Sequence, residues 1–167
     1  ATTQGEYVLT LFEVLTQSQL PFYIELMHHL AQRDIPVPHP QTLLDGTRLT
    51  RFKDKPCAIV SRLQGGYEAS PGVMHCALAG ETLARAHLAA RDFPIEQPNL
   101  RGLPWCESTA PAVQEFLSDG QKALLAETLQ EQRDMATSPA YGLLPRGPAH
   151  CDLFRDNVLF AGTFESP

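Results

Sequence analysis

The chain has 167 residues, 43% of them hydrophobic and 19% charged, and 13 Lys and Arg set against 19 Asp and Glu leave a net charge of −6. That balance suits a folded protein of one domain or two small ones and excludes a disordered tail. With no basic block and no apolar run near the ~20 residues of a spanning helix, the composition argues against nucleic acid and membrane as partners, and the expected location is cytoplasmic because Ala1–Gly5 has no signal-peptide character.

Residues 6–13 read as a strand with apolar groups on both faces, which predicts a covered strand already in full stride and further chain before it. Residues 21–33 place Phe22, Leu26 and Leu30 beside Tyr23 and Met27, predicting an amphipathic helix that opens on Pro21. Three prolines in 35–40 then enforce an extended chain. Residues 41–44, 48–52 and 57–63 suggest short antiparallel strands around an Asp45-Gly46 turn.

After Gln64-Gly65-Gly66, read as a flexible connector, the pattern becomes helical. Val73, Ala77, Ala84 and Leu88 line one face of a helix over 71–91, with His87 on its apolar side as a core histidine. A loop holding Pro94, Pro98, Gly102 and Pro104 leads to helical segments near 110–117 and 119–135, where Ser118 and Gln121 have the spacing of a capping box. The expected organisation is a small mixed lobe over 1–64, a mainly helical lobe over 65–167, and a cleft at their junction.

Cys57, Cys76, Cys106 and Cys151 include no CxxC pair and read as free, mostly buried thiols. In His75-Cys76, His150-Cys151 and His28-His29 the neighbouring side chains diverge, so none of these pairs makes a convincing metal site.

The informative stretch is 144–160, where His150, Asp152 and Asn157 stand at the spacing HxDxxxxN ahead of apolar Val158-Leu159-Phe160. Phosphoryl transfer from ATP needs a carboxylate to orient and deprotonate an acceptor hydroxyl and an amide oxygen to hold magnesium on the phosphates. Asp152 and Asn157 supply those two groups on one loop, with His150 as a brace and Asp156 facing solvent.

The phrase His150-Cys151-Asp152-Leu153-Phe154-Arg155-Asp156-Asn157-Val158 resembles the catalytic loop of the aminoglycoside phosphotransferase and choline kinase superfamily, and within it that of the homoserine kinases. Tyr7–Glu13, the helix around Glu25 leading into Ile35-Pro36-Val37-Pro38, and Leu83–Leu88 extend the likeness along the chain. The resemblance implies an α+β, bilobal, protein-kinase-like fold with both ends missing: a small antiparallel-sheet N-lobe ending at the hinge and a helical C-lobe carrying the catalytic loop 150–157. It implies ATP and Mg2+ as cofactors, Asp152 as catalytic base with His150 beside it, and Asn157 as a metal ligand. Ser61, Arg62, Leu63 and Gln64 would form the adenine-binding hinge. Glu25 would be the helix glutamate that usually pairs with a strand lysine, although Thr10 occupies the lysine position.

The implied reaction is transfer to the side-chain hydroxyl of L-homoserine, in threonine biosynthesis. Competing readings are a kinase for choline, an aminoglycoside or a methylthio-sugar, and a nucleotide-binding relative without activity. Arg101 and Trp105 are candidates for the border of the acceptor site. The phosphate-covering loop and a second magnesium-binding aspartate are expected outside these residues, so the 167-residue piece alone is expected to be inactive.

Overall fold

A computed structural model describes residue 3 and residues 5–162. By internal contacts the chain divides into two compact units, Ala1–Glu96 with Gly147–Pro167, and Gln97–Arg146. The lobe boundary expected after Gln64 falls inside the first unit.

The first unit holds β1 (Tyr7–Leu11), α1 (Leu20–Ala31), β2 (Thr50–Phe52), β3 (Lys55–Ser61) and α2 (Val73–Ala89), followed after the excursion through the second unit by a 3-10 turn at Arg155–Asn157. The sheet is antiparallel with order β1-β3-β2; Thr10 stands opposite Ala58, Val8 opposite Val60, and Thr50 opposite Cys57. The β2–β3 hairpin turns on Lys53 and Asp54, both at positive φ (48° and 62°), a pairing whose twist matches that of the flanking strands. The strand expected at 41–44 does not form. Pro40 bridges Val60, and the chain then enters a turn in which the Thr47 amide donates to Asp45 Oδ1 at 2.9 Å. An aspartate that satisfies the backbone two residues on offers the chain an alternative to a sheet ladder.

α1 begins with Pro21 in its first turn, where a missing N–H costs nothing. It ends where Asp34 takes the left-handed conformation (φ 57°) and the Ile35 amide returns to the Leu30 carbonyl at 3.1 Å. Leu20 and Ile24, one turn apart, are fully buried; Ile35, Pro40, Cys57, Ala58 and Val60 are buried in the strands and the loop before them. β1 is not covered as expected: its one strand partner is β3, and Val8, Leu9 and Leu11 stay half-exposed among the described residues. α2 likewise buries no residue fully, and Val73, His87 and Leu88 are exposed, so His87 is not a core histidine. All four thiols are free, but Cys76 and Cys151 are exposed and only Cys57 is fully buried.

The second unit is helical: α3 (Leu103–Val113), α4 (Asp119–Thr137) and the short α5 (Pro139–Gly142). α3 starts well before the expected 110, because Pro104 sits in its first turn rather than in a loop. The Ser118 capping box forms as expected, the Ser118 amide donating to Gln121 Oε1 at 2.9 Å and the Gln121 amide to Ser118 Oγ at 3.4 Å. No helix among the described residues is long and apolar enough to cross a membrane.

Ile24→Ala should remove about 2–5 kcal/mol of unfolding free energy, read from urea denaturation, because the fully buried site cannot collapse around the lost atoms. Truncating half-exposed Leu9 to Ala should cost clearly less.

Candidate active site

Strand alternation turns Val8 and Thr10 to one face of β1, beside Val60 of β3. With Pro38, Ser61, Arg62, Leu63, Gly65 and Leu159 they line a cleft of about 420 Å³. Three of the four expected hinge residues therefore line the cleft; Gln64 does not. The segment Ser61-Arg62 is held on both sides. The Arg62 amide donates to the Glu6 carbonyl at 3.0 Å, the Ser61 amide to the His39 carbonyl at 2.9 Å, and the His39 amide to Ser61 Oγ at 2.9 Å.

Gly65-Gly66 is a pinned crossing point and not a flexible connector. Gly66 and Phe160 exchange two backbone hydrogen bonds, of 3.1 and 2.8 Å. Gly65 has φ 103°, and a Cβ there would lie 2.4 Å from the Phe160 carbonyl oxygen. Only glycine combines that conformation with that approach. The strand expected after residues 150–157 is reduced to this single bridge.

The bridge delivers the loop 150–157. Cys151 is left-handed (φ 58°), and the Asp152 amide donates to His150 Nδ1 at 3.3 Å, so His150 braces the loop through its backbone. The Asp152 carbonyl accepts from the Phe154 amide at 2.9 Å and from Asn157 Nδ2 at 2.8 Å. The same Nδ2 donates to Asp152 Oδ2 at 3.2 Å. With its amide nitrogen committed to Asp152, Asn157 keeps its amide oxygen as an acceptor. Arg155 anchors the far side of the turn by donating to the Ala69 carbonyl at 2.8 Å. Tyr67 and residues 152–157 line an open depression of about 1130 Å³.

The oxygens of Asp152 and Asn157 suit a hard divalent cation. Among the described residues no cluster of three or more His, Cys, Asp or Glu could hold a metal, so these two offer part of a coordination shell.

Glu25 does not line the cleft. Its carboxylate accepts from Arg48 Nη1 at 2.9 and 3.1 Å, a partner that sequence reasoning missed because Arg48 follows a turn with no periodic signal of its own. Thr10 lies in the cleft wall at the strand position considered for a lysine. Arg101 stacks over the Trp105 ring at 4.7 Å in the second unit.

A family model described as the phosphotransferase enzyme family matches residues 1–165. Among curated proteins the chain is 54% identical over 160 residues to the homoserine kinases of Burkholderia cenocepacia (strain HI2424), Burkholderia mallei (strain SAVP1) and Paraburkholderia phymatum (strain DSM 17167 / CIP 108236 / LMG 21445 / STM815). Each match takes in 96% of this chain and 48%, 48% and 50% of those proteins, so the chain spans about half the length of the curated relatives it matches.

Gly65→Ala should separate the segment 61–66 from the loop 150–157. Expected outcomes are faster exchange of the Gly66 and Phe160 amides and a lower midpoint of thermal unfolding, while the remote Ser118 cap is unaffected.

Proposed function

The chain belongs to the phosphotransferase enzyme family, and from that premise we propose that it is part of an ATP-dependent kinase for the side-chain hydroxyl of L-homoserine. The observation that carries the chemistry is the clamp between Asn157 and Asp152. It holds Asp152 Oδ2 and leaves Oδ1 to take the proton of an acceptor hydroxyl. As the hydroxyl oxygen attacks, its bond to the γ-phosphorus forms, the bond from phosphorus to the β-phosphate oxygen breaks, and ADP leaves while the hydroxyl proton passes to Asp152 Oδ1. Asn157, through its amide oxygen, would help hold Mg2+, which when bound neutralises charge on the phosphates. His150 acts by bracing the loop.

In this reading the backbone of Ser61, Arg62, Leu63 and Gln64 receives adenine, and the cleft beside Val8 and Thr10 accommodates the base. Glu25, held by Arg48, serves the site by fixing α1. Residues 1–64 then belong to a small lobe ending at the hinge and 65–167 to a helical lobe, in a longer bilobal kinase-like protein of the cytoplasm. Homoserine as acceptor is supported by the names of the curated relatives.

In the intact protein, Asp152→Asn should lower turnover by about 10²–10⁴-fold, measured as homoserine-dependent release of ADP. Unchanged turnover would remove Asp152 from the chemistry. ADP release that responds to choline, an aminoglycoside or a methylthio-sugar but not to homoserine would overturn the acceptor.

A further inference from the structure

We propose that His28 and His39 are positioning residues for the cleft, forming a hydrogen-bond relay from Arg48 to Ser61 that holds only while both imidazoles are neutral. The proposal rests on reading that cleft as the nucleotide site.

Arg48 Nη2 lies 2.9 Å from His28 Nε2. An arginine can only donate, so Nε2 accepts and the His28 proton is assigned to Nδ1. His28 Nδ1 lies 3.0 Å from His39 Nε2, which must then accept, placing the His39 proton on its own Nδ1. The two rings stack with centroids 5.2 Å apart. Each step of the chain therefore has a single allowed direction.

The relay ends on the cleft. The His39 amide and carbonyl both bond Ser61, at 2.9 Å each, and Gln41 Nε2 donates to the same carbonyl at 2.8 Å. Ser61 is part of the cleft wall. Through these bonds α1, the turn that carries Arg48 and the end of β3 share one polar seam.

An added proton has no harmless place. On His28 Nε2 it faces the Arg48 guanidinium; on His39 Nε2 it faces the His28 Nδ1–H. If His28 moves its proton to Nε2 to receive from His39, it again meets Arg48. The charged and titratable groups facing His28 are Arg48 from the turn, His39 from the chain before β3, and Glu25 and His29 from α1 itself. Glu25 favours the imidazolium, but its carboxylate is already engaged by Arg48. Burial first, then Arg48, His39 and His29, hold His28 below the ordinary histidine value of 6.5. A histidine with a lowered folded value contributes stability that is complete above about 6.5 and is lost as the pH falls through the folded value. The seam therefore opens on acidification.

The test uses the intact protein with nitrogen-15-labelled histidine. At pH 8 the ring nitrogens should report protons on Nδ1 of both His28 and His39. On lowering the pH, ATP affinity should weaken by about fivefold, the scale of one lost hydrogen bond, with the midpoint at which the Ser61 amide resonance moves. The double variant His28→Gln with His39→Gln keeps a donor and an acceptor at each position and has no proton to gain. Taken relative to its own ATP affinity at pH 8, its acid-side loss should shrink to what titration of ATP itself causes in both proteins. A proton on His28 Nε2 at pH 8, a Ser61 amide indifferent to the ring titration, or an unchanged profile in the double variant would each overturn the relay. Failure of ATP to bind at any pH would instead overturn the nucleotide reading, while the tautomers and the Ser61 response would still decide the relay.

Discussion

Two hydrogen bonds between Gly66 and Phe160 join chain segments nearly a hundred residues apart, and the placement of the site depends on them. One segment has just left the end of β3 beside the cleft; the other has just left the loop 150–157. The crossing is possible because Gly65 takes φ 103° and carries no Cβ to collide with the Phe160 carbonyl. The intervening residues 97–146 fold as their own compact unit, so the bridge also returns the chain to the first unit after that excursion.

Within the loop the constraint is local. Asn157 ends the 3-10 turn Arg155–Asn157, and its amide reaches back to both the carbonyl and the carboxylate of Asp152, which precedes the turn. A side chain that spends its donors in this way presents its oxygen in a defined direction. That is the kind of preorganisation phosphoryl transfer relies on, because positioning and electrostatics supply most of its rate. The left-handed Cys151 and the His150 ring stabilise the turn's entry.

Around the sheet, polar groups do what apolar packing leaves undone. Few large residues are fully buried, and the contact of α1 with the region before β3 includes the half-buried seam of Glu25, Arg48, His28 and His39. In that seam each bond between the rings and from Arg48 Nη2 has one allowed direction, while Arg48 Nε is buried without a hydrogen-bond partner. The pairing of Glu25 with Arg48 also gives that carboxylate a partner different from the strand lysine usual in kinases.

Local features were legible in the residues alone: the HxDxxxxN spacing, the amphipathic α1 with Pro21 in its first turn, the Ser118 capping box, and the antiparallel strands that end near Ser61. Each depends on groups a few positions apart, so spacing and side-chain chemistry suffice to determine it. Tertiary structure decided the rest. Nothing near Gly65 signals that Phe160 will lie against it, nothing near Glu25 signals Arg48, and the apolar pattern of α2 does not reveal that its face stays open. These outcomes turn on which distant segments meet, and a hydrogen bond or burial between residues 20 to 95 positions apart leaves no periodic trace at either end.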